Sequence, residues 1–97
     1  MGSKYYYVYI LSSLSREVLY VGVTNNLIIR AFEHKNNFVK GFTQKYKVKI
    51  LVHVEQYCTI YQAITREKKL KNWHRLWKIQ LIEQNNFDWN DLSKNLL

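Results

Sequence analysis

Cysteine, acidic residues and long apolar runs are all scarce in this 97-residue sequence. Its one cysteine, Cys58, excludes an internal disulfide and a cysteine-rich zinc cluster, and we expect that thiol to lie inert in the core of a cytoplasmic protein. The longest apolar run, residues 5–11, is far too short to cross a bilayer and lacks the basic start and small-residue cleavage site of a signal peptide. We therefore expect no membrane segment.

Positive charge dominates the composition, because 15 lysines and arginines face only 7 acidic residues, giving a net charge of +8. This balance indicates an anionic partner, and nucleic acid, most of all DNA, is the first candidate. A membrane surface is the competitor, but no stretch combines a strongly basic helical face with a continuous apolar one. The length predicts a single domain over residues 1–97.

Two tyrosine-rich stretches predict a β-hairpin at the start of the chain. The first strand covers residues 4–11 and places Tyr9 and the other odd-numbered tyrosines on one face, and the second covers residues 18–22. The polar residues 12–17 between them have the length of a hairpin turn, so Tyr9 should approach Tyr20. The structural alternative is that both tyrosines only fill the sheet.

A helix-start signal at residues 25–26 predicts an amphipathic helix after the hairpin. Arg30 and His34 are four residues apart, so they lie on one line of this helix and can lean over the strand that carries Tyr20. Together they would offer phosphate donors and a titratable group. A solvated arginine and a surface histidine are the alternative. The predicted apolar stripe consists of Leu27, Ile28, Ala31 and Phe32.

Strict alternation over residues 48–55 predicts a third strand, with Val48, Ile50, Val52 and Val54 on one face and a structural His53 on the other. A second helix should begin at Thr59, with Ile60, Ala63, Ile64 and Leu70 as its buried stripe. Glu67 falls in the middle of that stripe, where a carboxylate needs a partner. Three alternatives follow: Glu67 is an ion-pair partner of Lys71, the apolar stripe simply ends before it, or it is a metal ligand.

A third helix is predicted over residues 73–85, with Trp73, Leu76, Trp77 and Leu81 facing the core, and a tail that buries Phe87 and Trp89. The last two helices also carry many cations, which we interpret as a nucleic-acid contact surface. The loop over residues 36–46 adds aromatic residues and further lysines that suit a phosphate backbone. The predicted nucleic-acid-binding residues are Lys40, Lys45, Arg66, Lys68, Lys69, Lys71, Arg75 and Lys78.

Together these residues resemble the GIY-YIG nuclease family over nearly the whole chain. The matching residues are Tyr7-Val8-Tyr9 and Tyr20-Val21-Gly22 at the two half-motifs, followed by Arg30, His34, Glu67 and Asn90. The resemblance is strongest to small stand-alone members related to the catalytic domain of excision-repair nucleases. It implies an α+β fold with a three-stranded antiparallel sheet and the element order β-β-α-β-α-α. Tyr7 departs from the family's glycine, and Val23 and Ile29 stand where some members have a lysine.

The resemblance implies metal-assisted hydrolysis of DNA. In that mechanism Glu67 holds Mg²⁺ or Mn²⁺, Arg30 clamps the phosphate, and Asn90 lies near the metal. Tyr9, Tyr20 or His34 activates the attacking water, and the sequence leaves all three open as the general base. Tyr9, Tyr20, Arg30, His34 and Glu67 should then line one concave surface. Two other functions compete: a nucleic-acid-binding module without hydrolysis, and a protein-interaction domain whose charge only keeps it soluble.

Overall fold

The computed structural model describes residues 5–36, 41 and 45–96. The elements are β1 (Tyr6–Ser13), β2 (Leu19–Thr24), α1 (Leu27–Lys35), β3 (Val48–Tyr57), α2 (Ile60–Asn72), α3 (Arg75–Asn85) and a short 3₁₀ helix (Leu92–Asn95). The predicted α+β fold class and the order β-β-α-β-α-α are confirmed. Among the described residues no helix is both long and apolar enough to span a bilayer.

The three strands form one antiparallel sheet in the order β2-β1-β3, so β1 is central and β2 lies at one edge. The hairpin pairs Tyr9 with Gly22 and Leu11 with Tyr20. Its first strand runs to Ser13, beyond the predicted end, and both added serines are buried. Ser12 pairs with both neighbouring strands, whereas Ser13 pairs with β3 and caps the turn with its hydroxyl. The predicted antiparallel hairpin is confirmed, with a shorter turn than expected.

Helices cover both faces of the sheet. On one face Val8, Ile10 and Val21 pack against α2 and α3, and this packing surface is called the α2 face. On the other, the α1 face, Tyr9 and Leu11 pack against Leu27 of α1 and against the 3₁₀ helix. The alternation along β1 decides which residues face which layer, as predicted. Each layer therefore buries its own apolar cluster, and the sheet separates them.

The third strand does not keep the simple alternation that its sequence predicts. Ile50 and Val52 lie on the α2 face, whereas Val48 and Val54 lie on the α1 face. Register shifts opposite Ile10/Leu11 and opposite Ser12/Ser13 cause the difference, because each extra residue reverses which face the following side chains reach. The single valine and isoleucine stripe predicted for this strand is therefore wrong.

The predicted starts of α1 and α2 are confirmed by their caps. The Asn26 side chain accepts a hydrogen bond from the Ile29 amide at 3.1 Å, and the Thr59 hydroxyl accepts one from the Gln62 amide at 3.2 Å. The predicted apolar stripes are too wide. Only Leu27 and His34 are buried on α1, and only Ala63 and Leu70 on α2. In each pair the residues are seven apart, so each helix touches the sheet along one narrow line and leaves Ile28, Phe32, Ile60 and Ile64 exposed.

The final helix turns a different side to the core than predicted. Extended backbone at Trp73 and His74 delays its start to Arg75, and Ile82 is the buried residue. Leu76 and Trp77 are exposed, so their assignment to the core is wrong.

The tail and the cysteine also depart from prediction in part. Trp89 is buried and donates its indole N–H to Glu83 at 2.7 Å, whereas Phe87 is exposed. The tail therefore buries one of its two aromatic residues. Cys58 is exposed just before α2 and is not a core thiol.

Candidate active site

The residue opposite Tyr9 decides where its side chain can go. Tyr9 projects from β1 onto the α1 face, directly across from Gly22 of the edge strand. A Cβ atom at Gly22 would lie 2.4 Å from both Cζ and the hydroxyl oxygen of Tyr9, far inside van der Waals contact. The tyrosine ring therefore lies across β2, and its hydroxyl reaches the outer edge of the sheet. The Tyr-Val-Gly motif thus has a glycine because a neighbouring side chain occupies its space.

Three rings, those of Tyr9, Tyr20 and His34, form a compact aromatic cluster at this edge. The ring centroids are 6.3 Å apart for Tyr9 and Tyr20, 5.9 Å for Tyr9 and His34, and 5.6 Å for Tyr20 and His34. The Tyr9 hydroxyl oxygen lies 3.2 Å from Nε2 of His34, a buried hydrogen bond. We refer to these residues as the tyrosine–histidine cluster. The hairpin supplies the two tyrosines, and the histidine comes from α1.

Burial controls the protonation of both hydrogen-bonded groups. Burial, assisted by the neighbouring Tyr20, raises the pKa of Tyr9 to about 12 even though Arg30 opposes the shift. Burial and the positive charge of Arg30 lower the pKa of His34 below its ordinary value, although Glu33 acts in the opposite direction. At neutral pH both groups are therefore uncharged. A neutral tyrosine has a proton to donate and a neutral imidazole has one nitrogen to accept it.

Arg30 places the positive charge of the site. It precedes His34 by one helical turn on α1. Its interaction with the Tyr9 hydroxyl lowers the pKa of Tyr9, but burial raises that pKa by more. Its Nε lies 3.2 Å from a carboxylate oxygen of Glu33, and its side chain is 39 % exposed. The guanidinium is therefore held in place and still reachable by a phosphate from solvent.

Glu67 approaches the same edge from the other layer. Its helix, α2, packs on the α2 face, whereas Arg30 and His34 belong to the α1 face. The two layers meet beyond β2, where Arg30 and Ile60 line a common groove with Thr24 and Asn25. The carboxylate of Glu67 is near enough to contribute to the raised pKa of Tyr9. The helices that carry Arg30 and Glu67 therefore lie on opposite faces of the sheet, and Glu67 comes near Tyr9 only around the β2 edge, not on one shared face as the sequence predicts.

The surroundings of Glu67 fit a magnesium ion with a single protein carboxylate. Its side chain is 15 % exposed, and one carboxylate oxygen lies 3.2 Å from Nζ of Lys71. No group of three or more potential metal-ligating histidine, cysteine, aspartate or glutamate residues occurs within the described part of the chain. Mg²⁺ commonly binds through one or two carboxylates and takes its remaining ligands from water and substrate phosphate. The position of the Glu67 carboxylate therefore suits either alternative, an ion pair with Lys71 or a bound metal ion.

Asn90 lies apart from the other candidate residues. It is exposed and lines a groove with Ser12, Ser13 and Arg16 at the turn end of β1, where none of the other five catalytic or metal candidates contributes. The neighbouring Asn86 is buried and donates hydrogen bonds to the carbonyl oxygens of Val52 at 3.1 Å and Asn90 at 2.9 Å. Asn86 therefore fixes the tail against β3. The structure does not bring either asparagine to the tyrosine–histidine cluster.

Arg66 has an internal partner that the sequence pattern did not indicate. Its Nε and Nη2 atoms lie 2.8 and 3.1 Å from the two carboxylate oxygens of Glu55, and His53 and Tyr57 also hydrogen-bond to that carboxylate. Burial would raise the pKa of Glu55, but these hydrogen bonds and the charge of Arg66 lower it to about 2. We call this set the Glu55 cluster (His53, Glu55, Tyr57 and Arg66).

The Glu55 cluster orients α2. Arg66 points towards β3, so Glu67, the next residue of the helix, points away from β3 and towards the β2 edge. The signal in the sequence was the period of two, because His53, Glu55 and Tyr57 must share one face of a strand. That spacing identifies a shared face but does not identify the arginine that pairs with it.

The predicted basic surface is divided by these contacts. Lys68 and Lys69 are exposed on α2, Lys71 pairs with Glu67, and Lys78 reaches the Lys71 carbonyl oxygen at 3.5 Å. Arg75 donates a hydrogen bond to the carbonyl oxygen of Arg16. Arg66 is committed to the Glu55 cluster, so the exposed cations of α2 are the main candidates for phosphate contact. Outside α2 and α3, Lys45 lies 5.4 Å from the Tyr46 ring centroid, and Lys40 falls outside the described residues.

Comparison with known proteins identifies one matching family model, two similar relatives and one similar solved structure. The family model of the GIY-YIG catalytic domain matches residues 5–80. A UPF0213 protein of Syntrophus aciditrophicus is 36 % identical over 80 residues, covering 81 % of this chain and 91 % of the relative. A UPF0213 protein of Haloquadratum walsbyi is 36 % identical over 82 residues, covering 84 % of this chain and 91 % of the relative. The solution NMR structure of a UPF0213 protein from Bacillus halodurans superposes with a TM-score of 0.57 at 23 % identity, covering 93 % of this chain and 95 % of that one.

Proposed function

Because this chain belongs to the GIY-YIG family, whose catalytic domain its residues 5–80 match, we propose that it is a metal-dependent endonuclease that hydrolyses phosphodiester bonds in DNA. The observation that carries the proposal is the convergence of a buried tyrosine–histidine hydrogen bond, Arg30 and the Glu67 carboxylate at one edge of the sheet. A module that only binds nucleic acid does not require a buried proton-accepting pair beside an arginine.

Arg30 binds the scissile phosphate. Its guanidinium is planar and permanently charged, and it can donate two parallel hydrogen bonds to non-bridging oxygens. The charge of those oxygens grows as the attacking oxygen approaches phosphorus, so the interaction strengthens in the transition state. The ion pair with Glu33 holds the arginine at the edge of the site before substrate arrives.

Tyr9 and His34 move the proton of the attacking water. Because its pKa is raised to about 12, Tyr9 stays protonated at neutral pH and cannot act as a base alone. It can accept a proton from water if its own proton passes at the same time to Nε2 of His34, 3.2 Å away. The resulting hydroxide attacks phosphorus, the bond to the leaving oxygen breaks, and that oxygen takes a proton from solvent. Tyr20 packs against both rings and keeps them in this arrangement.

Glu67 is the residue that would hold Mg²⁺ or Mn²⁺. A divalent cation supplies positive charge to the phosphate oxygens and to the leaving group. Lys71 neutralises the carboxylate when no metal is bound and is exposed enough to turn away towards solvent. This arrangement supports a carboxylate that exchanges one cationic partner for another.

The exposed lysines of α2 provide affinity for the DNA backbone. Contacts with phosphate release bound counterions, so the affinity for DNA should fall steeply as the salt concentration rises. We expect Lys68→Glu and Lys69→Glu together to weaken binding and to flatten its salt dependence, with little change in melting temperature. Binding that is independent of salt would contradict a phosphate-backbone interface.

The decisive experiment incubates purified protein with labelled single-stranded and duplex DNA, with and without Mg²⁺ or Mn²⁺. The proposal requires cleavage that depends on the metal and disappears in Arg30→Ala. One observation favours the second candidate, a nucleic-acid-binding module of the same fold, because the Glu67–Lys71 ion pair already satisfies the carboxylate. Salt-sensitive DNA binding without cleavage of any nucleic-acid substrate would identify that module. The absence of both binding and cleavage would favour a protein-interaction domain.

A further inference from the structure

A groove of about 300 Å³ lies between the end of α2 and the outer side of α3, away from the candidate active site. We call it the tryptophan groove, and it is lined by Trp73, Trp77, Gln80, Leu81 and Gln84. The last four residues follow a spacing of three and four, so they share one side of α3, and Ile82 buries the opposite side. Trp77 is 51 % exposed although indole is the largest apolar side chain. Core packing therefore does not account for it.

The exposed indole is held in a defined orientation. Its ring centroid lies 5.8 Å from that of Trp73 at an interplanar angle of 88°, and 5.5 Å from that of His74 at 87°. Two perpendicular ring contacts fix the plane of Trp77 without covering it. A rigid aromatic surface loses little side-chain entropy when another flat ring packs on it.

The lining of the groove combines apolar side chains with two polar amides. Gln80 and Gln84 each offer an amide donor and an amide acceptor, the groups that pair with the edges of nucleobases. Arg66 lies 4.9 Å from the Trp73 ring centroid, although Glu55 pairs with its charge, and Lys68 and Lys69 are exposed on the preceding helix. Among the residues that the structure describes, none that lines the groove is acidic. The ligand that this surface suits is a flat, hydrogen-bonding ring attached to an anionic backbone.

We propose that the tryptophan groove binds an unpaired nucleobase of the DNA strand, stacked on Trp77 with its edge facing Gln80 and Gln84. The inference rests on the proposed function and adds a second contact point on the substrate. Glu67 points to the β2 edge and Arg66 to β3, so a strand running from the cleavage site to the groove crosses the exposed side of α2. Lys68 and Lys69 lie on that side and would contact the phosphates between the two points.

The test compares two oligonucleotides that differ only in their bases. One is a thymidine oligomer of about 12 nucleotides, within the length that such surfaces engage, and the other has the same phosphates but abasic sugars throughout. Affinities are measured with Ca²⁺ replacing Mg²⁺ to suppress cleavage. Trp77→Ala should weaken binding of the thymidine oligomer about tenfold and leave the abasic oligomer unchanged. Trp77→Phe should restore most of the affinity, because phenylalanine also stacks.

Leu76→Ala is the matched control. Leu76 is exposed, precedes Trp77 on α3 and points about 100° away around the helix axis, so its loss should not change either affinity. Gln80→Ala with Gln84→Ala is a second test that leaves both indoles in place. This variant should change the order of affinities among thymidine, deoxycytidine and deoxyadenosine oligomers.

Two results in the variants would overturn the inference: an equal loss for both oligonucleotides in Trp77→Ala, or unchanged base preference in the glutamine variant. Failure of the proposed function gives a different result. In that case the parent protein cleaves no DNA under any metal condition, whatever its preference for bases. If instead the parent cleaves DNA but does not distinguish the thymidine from the abasic oligomer, the endonuclease assignment stands and the groove has no nucleobase to bind.

Discussion

Tyr9 and Gly22 lie directly opposite each other on neighbouring strands, and the phenol ring occupies the space that a side chain at position 22 would need. The contact links the two half-motifs of the hairpin. The tyrosine of the first strand reaches the edge of the sheet only because the second strand has no Cβ atom at that point. Gly22 has no positive φ angle to explain its presence, so the close approach of the ring is the physical reason for it.

Gly22→Ala should therefore disturb Tyr9 specifically. A methyl group 2.4 Å from the tyrosine hydroxyl oxygen forces the ring to move, and overpacking of this kind costs roughly 1–3 kcal/mol of unfolding free energy. We expect a lower melting temperature and a strong loss of cleavage. In a Tyr9→Leu background the same glycine substitution should destabilise much less, because the colliding atoms are absent. Additive losses of stability in the double variant would contradict the proposed contact.

Tyr9 and His34 should behave as one unit in catalysis. Tyr9→Phe and His34→Gln each remove one end of the proposed proton relay, and each should reduce the single-turnover cleavage rate by about 10²–10⁴-fold. The double variant should be scarcely slower than either single variant. Tyr20→Phe, which keeps the ring contacts, is the control and should lose less. Independent, multiplicative losses for Tyr9 and His34 would separate the two roles.

The same relay fixes the direction of the pH dependence. His34 must be neutral to accept a proton, and burial and Arg30 lower its pKa below 6.5. The cleavage rate should therefore fall on the acid side with a midpoint below 6.5, and this acid limb should be missing from the residual activity of His34→Gln. A rate that rises as the pH falls through this range would exclude neutral His34 as the acceptor.

Glu67 and Lys71 can be tested against each other. If Glu67 holds the metal, Glu67→Ala should slow cleavage on the order of a thousandfold while DNA binding survives or tightens. Lys71→Ala breaks the same ion pair but retains the carboxylate, so it should keep metal-dependent cleavage and require no more Mg²⁺ than the parent. If the pair is only structural, both substitutions should cost at most about 1 kcal/mol of stability and leave the cleavage rate intact.

The Glu55 cluster should stabilise the fold in a pH-dependent way. The pKa of Glu55 falls from 4.5 to about 2 on folding, so its contribution is fully present above pH 4.5 and is lost as the pH falls towards 2. This difference corresponds to about 3 kcal/mol at neutral pH. Glu55→Gln should lose most of that amount in urea unfolding at pH 7, and the gap from the parent should close in acid. Glu17→Gln, at an exposed site in the hairpin turn, is the control and should change little.

Local signals explain which parts of the fold the sequence could predict. Asn26 and Thr59 each cap a helix by accepting a hydrogen bond from an amide three residues further on, and the hairpin joins strands that are neighbours in the chain. The side chains of β3 were harder to place, because its bulges depend on pairing with β1 across about 40 residues. The widths of the buried helical stripes depend in turn on how much of each helix a narrow sheet can cover.

The same contrast between local and long-range contacts decides which residues of the candidate site could be predicted. Tyr9, Tyr20 and His34 come together because a hairpin and the helix after it are close in the chain. Asn90 was assigned from the family resemblance, as an asparagine that follows an aromatic residue, and the tail places it at the turn end of β1. The internal partner of Arg66 could not be predicted, because an arginine on a helix and a glutamate on a strand have no fixed spacing.

Under the proposed function, the approach of Glu67 from the opposite side of the sheet makes cleavage a measure of cooperative folding. A partly unfolded chain that kept only the hairpin and α1 would retain Arg30 and the tyrosine–histidine cluster without the carboxylate, and one that kept only α2 would retain lysines that attract DNA. Neither species could cut. We therefore expect cleavage to vanish with the first sub-global opening on heating or in mild denaturant, before DNA affinity is lost. If the protein is the proposed endonuclease, an incompletely folded copy would hold DNA without damaging it.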